Sequence, residues 1–329
     1  MLSGFLIYRA VLAIGSLEGL RIYIIRRIFR IYPVYVLGIA LSLGFGLYAD
    51  GTNFSRLSHA LSDLFMFPII GWTHFNNPEA LVRFNAENIA TNLVIWSLFV
   101  EVTFYAVLPL FVVLVGRRRI VAASLIALAI VLLAESTSRS FGLWKYFLIG
   151  ILASELAPRL RWVSAPAFAL GVGLLVLDFM GPAFDWATRL GLSNGNVSST
   201  YGQTLGIGMA CGLILAALPN LGRVARALDL APLRLLGAMS YSVYIIHPFF
   251  ILANFPEMGT FSHAKQLTEH FKALPAMPAW YLPLVFLPGI FFWGLMSFLL
   301  VERPGIRLGK RLINRSRAAP VLHAGGQLA

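Results

Sequence analysis

The sequence has little cysteine and little charge, and each shortage excludes a class of protein. A single cysteine among 329 residues, Cys211, excludes an internal disulfide bond and any metal site built from several cysteines. Only 12% of the residues are charged and 58% are hydrophobic, which is far more apolar surface than one water-soluble core needs. The composition therefore predicts an all-α, polytopic helical membrane protein.

Acidic residues are the scarcer charged class, with 14 Asp and Glu against 26 Lys and Arg and a net charge of +12. The basic residues stand in short clusters between apolar segments, which is typical of membrane topology signals rather than of a nucleic-acid-binding surface. Nineteen of them fall in one set of alternate connections and seven in the other. The positive-inside rule places the larger set, with the C-terminus, in the cytoplasm. We expect the lipid bilayer, and not nucleic acid, to be a partner.

Apolar runs predict eight full membrane spans after one partial span at residues 1–12. The full spans are expected at 33–49, 92–116, 120–135, 143–157, 163–180, 203–219, 235–254 and 281–301. Gly208 and Gly212 form a GxxxG pair, which indicates close helix packing. No full-length internal repeat of the kind found in many transporters is present, and this argues against a transporter.

One acid, Glu101, lies within the apolar run 92–116. A carboxyl group near the centre of a bilayer costs about 2 to 3 kcal/mol, so it should face the protein interior and have a partner. On a helix Ser97, Glu101 and Tyr105 share one face, because they recur at i, i+4 and i+8. Glu101 is either a functional residue or a structural acid whose hydrogen bond only fixes helix packing.

A second polar stripe is predicted near the end of the chain. Ser240, Tyr244 and His247 share a helical face at i, i+4 and i+7, and the stripe ends in a titratable group directly before Pro248. A lone histidine is most often a structural hydrogen-bonding group. The company of Tyr244 and Ser240, and of Glu101 on another helix, leaves a functional role open beside the structural one.

Three arginines, Arg26, Arg27 and Arg30, are spaced to converge before Pro33, which is predicted to open the next apolar run. The cluster is either a positive-inside anchor or an anion site, because paired guanidinium groups bind phosphates bidentately. Spacing alone leaves both interpretations open.

The last predicted span ends in Glu302, Arg303 and Pro304. We expect the acid and the base to meet the cytoplasmic surface there and the proline to break the helix. The domain division that follows is a membrane domain at 1–305 and a basic cytoplasmic tail at 306–329.

Six motifs in order resemble the acyltransferase-3 family of integral membrane acyltransferases. They are Leu2 to Ile7 (LSGFLI), Arg26 to Pro33 (RRIFRIYP), Trp96 to Tyr105 (WSLFVEVTFY) with Pro109, Tyr146 to Gly150 (YFLIG), Leu236 to Pro248 (LGAMSYSVYIIHP), and Glu302 to Pro304 (ERP). The resemblance covers nearly the whole chain. It implies a ten-helix bundle that transfers an acyl group, commonly acetyl from acetyl-CoA, to a carbohydrate hydroxyl of a bacterial glycan or glycolipid. The family's RxxR motif falls on Arg27 and Arg30.

The sequence departs from the family pattern at its beginning. Family members carry a first membrane helix with a basic residue and, about three turns later, a histidine thought to be catalytic. This chain starts within what would be the second helix. We therefore expect that the true start of the open reading frame lies upstream of Met1.

Three hypotheses of different classes follow. The first is an O-acyltransferase of the bacterial cytoplasmic (inner) membrane, in which Glu101, Tyr105, Tyr244 and His247 hold and deprotonate an acceptor hydroxyl. Arg27 and Arg30 then bind the phosphates of acyl-CoA, and no metal is required. The second is a glycolipid or lipid transporter or flippase that uses the polar stripes as a path. The third is an inactive, N-terminally truncated fragment.

Overall fold

The computed structural model describes residues 1–50, 95–134, 139–179, 205–254 and 281–318. Every regular element within these ranges is helical, and none of them contains a strand. The predicted all-α class is therefore confirmed for the described part of the chain.

Eleven α-helices are described, and we number them in chain order. They are α1 Leu2–Leu12, α2 Leu17–Asp50, α3 Ile95–Val115, α4 Ile120–Ala134, α5 Arg139–Leu156, α6 Ser164–Phe179, α7 Leu205–Ala217, α8 Gly222–Leu228, α9 Ala231–Asn254, α10 Tyr281–Ser297 and α11 Arg303–Ala318. A π-helical turn, Phe298–Glu302, joins α10 to α11.

The span count is not confirmed. Among the described residues, one continuous helix, Phe286–Arg317, has the length and apolar composition to cross a membrane. The number rises to three if each of two sharply bent helix pairs counts as one span, α3 with α4 and α7 with α8. The prediction of eight full spans and a partial one therefore stays a prediction.

The observed helices differ from the predicted ones at two prolines, Pro33 and Pro304. Helix α2 begins at Leu17 and runs through Pro33, whereas the apolar pattern predicted a start at Pro33. The helix after α10 likewise continues beyond Pro304 to Ala318. The prediction that Pro304 breaks the helix is wrong. Pro304 cannot donate a hydrogen bond to the carbonyl of Leu300, and the helix widens into the π-helical turn immediately before it.

The described chain forms two compact units. Unit one contains α1, most of α3, α4 to α8 and the start of α9, up to Leu236. Helix α5 is its centre, since α1, α4 and α7 all pack on it, and α7 also packs on α6. Unit two contains α2, α10, α11 and the rest of α9 from Gly237. The proposed boundary between a membrane domain and a tail at 305/306 stays a prediction.

Two glycines let α1 approach α5 closely. A Cβ atom on Gly150 of α5 would lie 2.8 Å from the amide nitrogen of Phe5 and 3.0 Å from the Cα of Gly4. A Cβ on Gly4 would meet the backbone of Phe147. Because backbone cannot yield as a flexible side chain can, this contact requires glycine on both helices.

The GxxxG pair of α7 has the predicted role. A Cβ on Gly208 would lie 3.0 Å from the Cδ1 of Ile149, and one on Gly212 would lie 2.7 Å from the Cγ2 of the same residue. Ile149 of α5 therefore packs directly over both glycines, as expected of small residues at a helix contact.

The chain turns sharply after α3 at Gly116, whose φ of 72° lies in the left-handed region. An L side chain is unfavourable there, so glycine is the residue that fits. The short 3-10 helix Arg117–Arg119 follows, and α3 and α4 are bent from one another by 98°.

In unit two, α11 packs against the N-terminal half of α2. A Cβ on Gly309 would lie 2.8 Å from the Cβ of Phe29, and one on Gly305 would lie 3.0 Å from the carbonyl oxygen of Phe29 and 2.6 Å from the ring of Pro33. The side of α11 that faces α2 therefore carries the small residues Gly305 and Gly309, whereas the basic residues of α11 are exposed.

We predict that Gly150→Ala destabilises the protein, because the added methyl group would meet the backbone of α1. Overpacking of this kind costs about 1 to 3 kcal/mol, and more where backbone must move. The measurement is thermal unfolding of the detergent-solubilised protein. Gly173→Ala in α6 is the matched control, since nothing lies within 4 Å of a Cβ at that position. Equal melting temperatures for the two variants would show that Gly150 does not pack against the backbone of α1.

Candidate active site

Glu101 of α3, the acid within the apolar run, is half-buried and accepts hydrogen bonds from two hydroxyl groups. The hydroxyl of Ser3 on α1 donates to Oε1 at 2.7 Å, and the hydroxyl of Tyr105, one turn further along α3, donates to the same oxygen. Glu101 therefore has the partners within the protein that its apolar helix requires. The side chain of Ser97, the third member of the predicted stripe, lies outside the described residues.

Helix α5 explains how Ser3 reaches Glu101. The ring of Phe104 on α3 stacks on that of Phe147 on α5, with centroids 4.3 Å apart, and Trp144 meets Phe104 edge-on. The backbone of Phe147 is also the surface against which Gly4 packs. One short stretch of α5 thus holds both α3 and α1 and places the serine hydroxyl at the carboxylate.

A second carboxylate of unit one has a similar partner. The hydroxyl of Tyr8 on α1 donates to Oε1 of Glu155 on α5 at 2.7 Å. Next to it, the guanidinium of Arg9 donates to the hydroxyl of Ser154 at 3.3 Å and lies over the ring of Phe5. These contacts join the other end of α1 to α5.

In unit two, α9 brings Tyr244 and His247 together as the helical spacing predicted. Their ring centroids are 5.5 Å apart, and both side chains are half-buried. Nδ1 of His247 lies 2.7 Å from the carbonyl oxygen of Tyr244. Ser240 does not join them inside the protein. It is exposed, and its hydroxyl donates to the carbonyl of Gly237 within the same helix.

The arginine cluster lies within α2, because this helix continues through Pro33. Arg26 and Arg30 are exposed, whereas Arg27 is half-buried with its guanidinium 5.6 Å from the ring centroid of Tyr23. Arg30 is also close enough to Glu302 for its charge to act on that carboxyl group. Arg27 and Arg30 therefore have different surroundings, which the spacing of the three arginines does not reveal.

The proposed site residues are divided between the two units. Glu101 and Tyr105 belong to unit one, and Arg27, Arg30, Tyr244 and His247 belong to unit two. Within the described ranges, no three His, Cys, Asp or Glu side chains come together as a metal site would need.

A buried polar cluster that the sequence pattern did not indicate is centred on Glu302. Its side chain is fully buried, so the expectation that it meets the surface is wrong. The buried hydroxyl of Ser242 on α9 donates to Oε2 at 2.7 Å, and the hydroxyl of Ser297 lies 3.4 Å from that of Ser242. Oε1 has no hydrogen-bond partner among the described residues. One signal in the sequence was Ser242 itself, which shares a helical face with the apolar residues Met239, Ile245 and Ile246 at i−3, i+3 and i+4.

Comparison with known proteins gives one match. Residues 1–298 match the model of a protein family described as an acyltransferase domain. No curated protein matches the chain, and neither does any solved structure.

We predict that Ser242→Ala destabilises the protein, because it removes a donor from a fully buried carboxyl group. A buried acceptor left without its donor costs about 1 to 3 kcal/mol, and more when it is charged. Ser240→Ala on the same helix is the control and should change stability little, since that hydroxyl is exposed. Both variants would be compared by thermal unfolding in detergent. Identical melting temperatures would show that the contact with Glu302 contributes nothing to stability.

Proposed function

Because the chain belongs to the acyltransferase-3 family of membrane acyltransferases, we propose that it transfers an acyl group, with acetyl as the first choice, from acyl-CoA to a hydroxyl of a cell-envelope glycan or glycolipid. The observation that carries the proposal is the family match over residues 1–298 of 329. The surroundings of four polar side chains and two arginines support roles for them in this reaction.

His247 is proposed as the general base. The hydroxyl of the acceptor gives its proton to the imidazole as its oxygen attacks the carbonyl carbon of the thioester. The bond between carbon and sulfur then breaks, and the sulfur of coenzyme A takes the proton back from the imidazolium as it leaves, so His247 returns to its neutral form. A half-buried imidazole with a fixed hydrogen bond at Nδ1 suits this role, because its orientation and proton position are set beforehand. The adjacent ring of Tyr244 restricts its movement.

Glu101 and Tyr105 are proposed to bind hydroxyl groups of the glycan acceptor. Ser3 and Tyr105 both donate to Oε1 of the carboxylate, and a carboxylate has further lone pairs that can accept hydrogen bonds from hydroxyl groups of the acceptor. A carboxylate among apolar helices binds hydroxyl donors more strongly than one in water does, because fewer water molecules compete.

Arg27 and Arg30 are proposed to bind the phosphates of the acyl donor. The exposed guanidinium of Arg30 is accessible to a ligand, and Arg27 is restrained by its contact with the ring of Tyr23. Two guanidinium groups one turn apart on a helix can each form two parallel hydrogen bonds to phosphate oxygens.

We predict that Glu101→Gln lowers acyl transfer by roughly tenfold to a hundredfold, the cost of losing a hydrogen bond to a charged acceptor. The measurement uses membrane vesicles that contain the protein, radiolabelled acetyl-CoA, and a total extract of host lipid and polysaccharide as acceptor. Label recovered in the extract is counted against vesicles without the protein.

The matched control is Glu155→Gln. Glu155 is also a carboxylate in an apolar helix that accepts a hydrogen bond from a tyrosine of the same unit, yet it has no proposed catalytic role. The control should transfer label at the wild-type rate. Full activity of Glu101→Gln would remove Glu101 from the reaction. If wild-type vesicles transfer no label but move a fluorescent glycolipid across the membrane, the protein is a transporter instead.

We also predict that the double variant Arg27→Lys and Arg30→Lys binds acetyl-CoA about tenfold or more weakly, although its charge is unchanged. A lysine ammonium cannot reproduce the two parallel hydrogen bonds of a guanidinium group. Binding of acetyl-CoA to the protein in nanodiscs would be measured by calorimetry. Arg26→Lys is the control, since this neighbouring arginine is outside the RxxR pair. Unchanged binding by a double variant that inserts normally would leave only the anchoring role.

A further inference from the structure

Helix α9 contains a proline directly after the proposed base. In an α-helix the N–H of each residue donates to the carbonyl four positions earlier, so position 248 would donate to the carbonyl of Tyr244. Pro248 has no N–H and cannot form this bond. The helix nevertheless continues to Asn254.

The imidazole of His247 occupies the position of the missing donor. Its Nδ1 lies 2.7 Å from the carbonyl oxygen of Tyr244, the same oxygen that Pro248 cannot reach with a hydrogen bond. A carbonyl oxygen only accepts hydrogen bonds, so Nδ1 must carry the proton. In the neutral ring Nε2 then holds the lone pair.

We propose that Pro248 is a positioning residue that reserves the Tyr244 carbonyl for His247 and thereby fixes the neutral imidazole as the Nδ1–H tautomer, with Nε2 as its basic nitrogen. The catalytic consequence rests on the proposed function, in which His247 takes a proton from the acceptor. The tautomer itself depends only on the local geometry of α9.

The contact between the His247 imidazole and the Tyr244 carbonyl is rigid because both groups belong to one helix. The acceptor is a backbone oxygen three residues before the histidine, and the Tyr244 ring lies beside the imidazole with its plane tilted by 44°. The imidazole therefore needs no second helix to select its tautomer. A donor at position 248 would compete for the same oxygen and weaken the selection.

The test is nitrogen NMR of the full chain in nanodiscs with ¹⁵N-labelled histidine, at an alkaline pH where imidazole is neutral. The chain has six histidines, so the signals of His247 are identified by their loss in His247→Gln. We expect a protonated Nδ1 and an unprotonated Nε2 in the wild-type protein. A wild-type protein whose His247 carries its proton on Nε2 overturns the proposal without any further variant.

The informative variant is Pro248→Ala, which supplies the missing backbone N–H. We expect its His247 signals to shift toward a mixture of both tautomers, because the new N–H at position 248 then competes for the carbonyl of Tyr244. Pro288→Ala in α10 is the matched control. It also restores a donor within a helix of unit two, but Leu287 precedes it in place of a histidine, so the His247 signals should not change. Unchanged signals in Pro248→Ala overturn the proposal.

Acetyl transfer from acetyl-CoA separates this inference from the proposed function. We expect Pro248→Ala to lower kcat on the order of tenfold, less than the ~10²–10⁴-fold that general base catalysis contributes and that His247→Gln should lose. If His247→Gln keeps full activity, the proposed role of His247 as base is wrong, whereas the NMR result still decides whether Pro248 selects the tautomer.

Discussion

A polar side chain in an apolar helix has to find its hydrogen-bond partner within the protein, because lipid offers none. This requirement accounts for the contacts that Glu101, Glu302 and His247 make. Glu101 receives hydrogen bonds from Ser3 and Tyr105, Glu302 receives one from Ser242, and Nδ1 of His247 lies within hydrogen-bond distance of a carbonyl oxygen of its own helix. The two buried or half-buried acids therefore join helices that are distant in sequence, whereas the histidine is satisfied locally.

Close helix contacts make these hydrogen bonds possible. Within unit one, Ser3 reaches Glu101 because Gly4 and Gly150 allow α1 and α5 to touch backbone to backbone, while Phe104 stacks on Phe147 to hold α3. A van der Waals contact through small residues is the main attraction available between apolar helices in lipid. The position of a polar group in this unit is thus decided by residues that carry no polar atoms in their side chains.

Sequence rules predict that prolines end helices, but several prolines in the described structure do not. Pro33, Pro248 and Pro304 all lie in continuous helical structure instead of ending it. Each removes one helix hydrogen bond. Near Pro248, Nδ1 of His247 lies 2.7 Å from the carbonyl oxygen that position 248 cannot reach with a hydrogen bond, and a π-helical turn precedes Pro304. In an apolar environment a backbone carbonyl without a hydrogen-bond donor is costly. This cost explains why the local structure differs from a regular α-helix near these two prolines.

The sequence by itself determined the helical class, the membrane environment expected of the family, and which residues share a helical face. Glu101 with Tyr105 and Tyr244 with His247 were predictable because contacts at i, i+3 and i+4 depend only on helix periodicity. The GxxxG contact of α7 was predictable for a similar reason. The tertiary structure alone decided that Ser3 binds Glu101 and that Ser242 binds Glu302, since 98 and 60 residues separate these partners and no local pattern links them. It also decided that Glu302 is buried, because burial at the end of an apolar run depends on whether another helix packs there, and helix packing is a property of the folded chain.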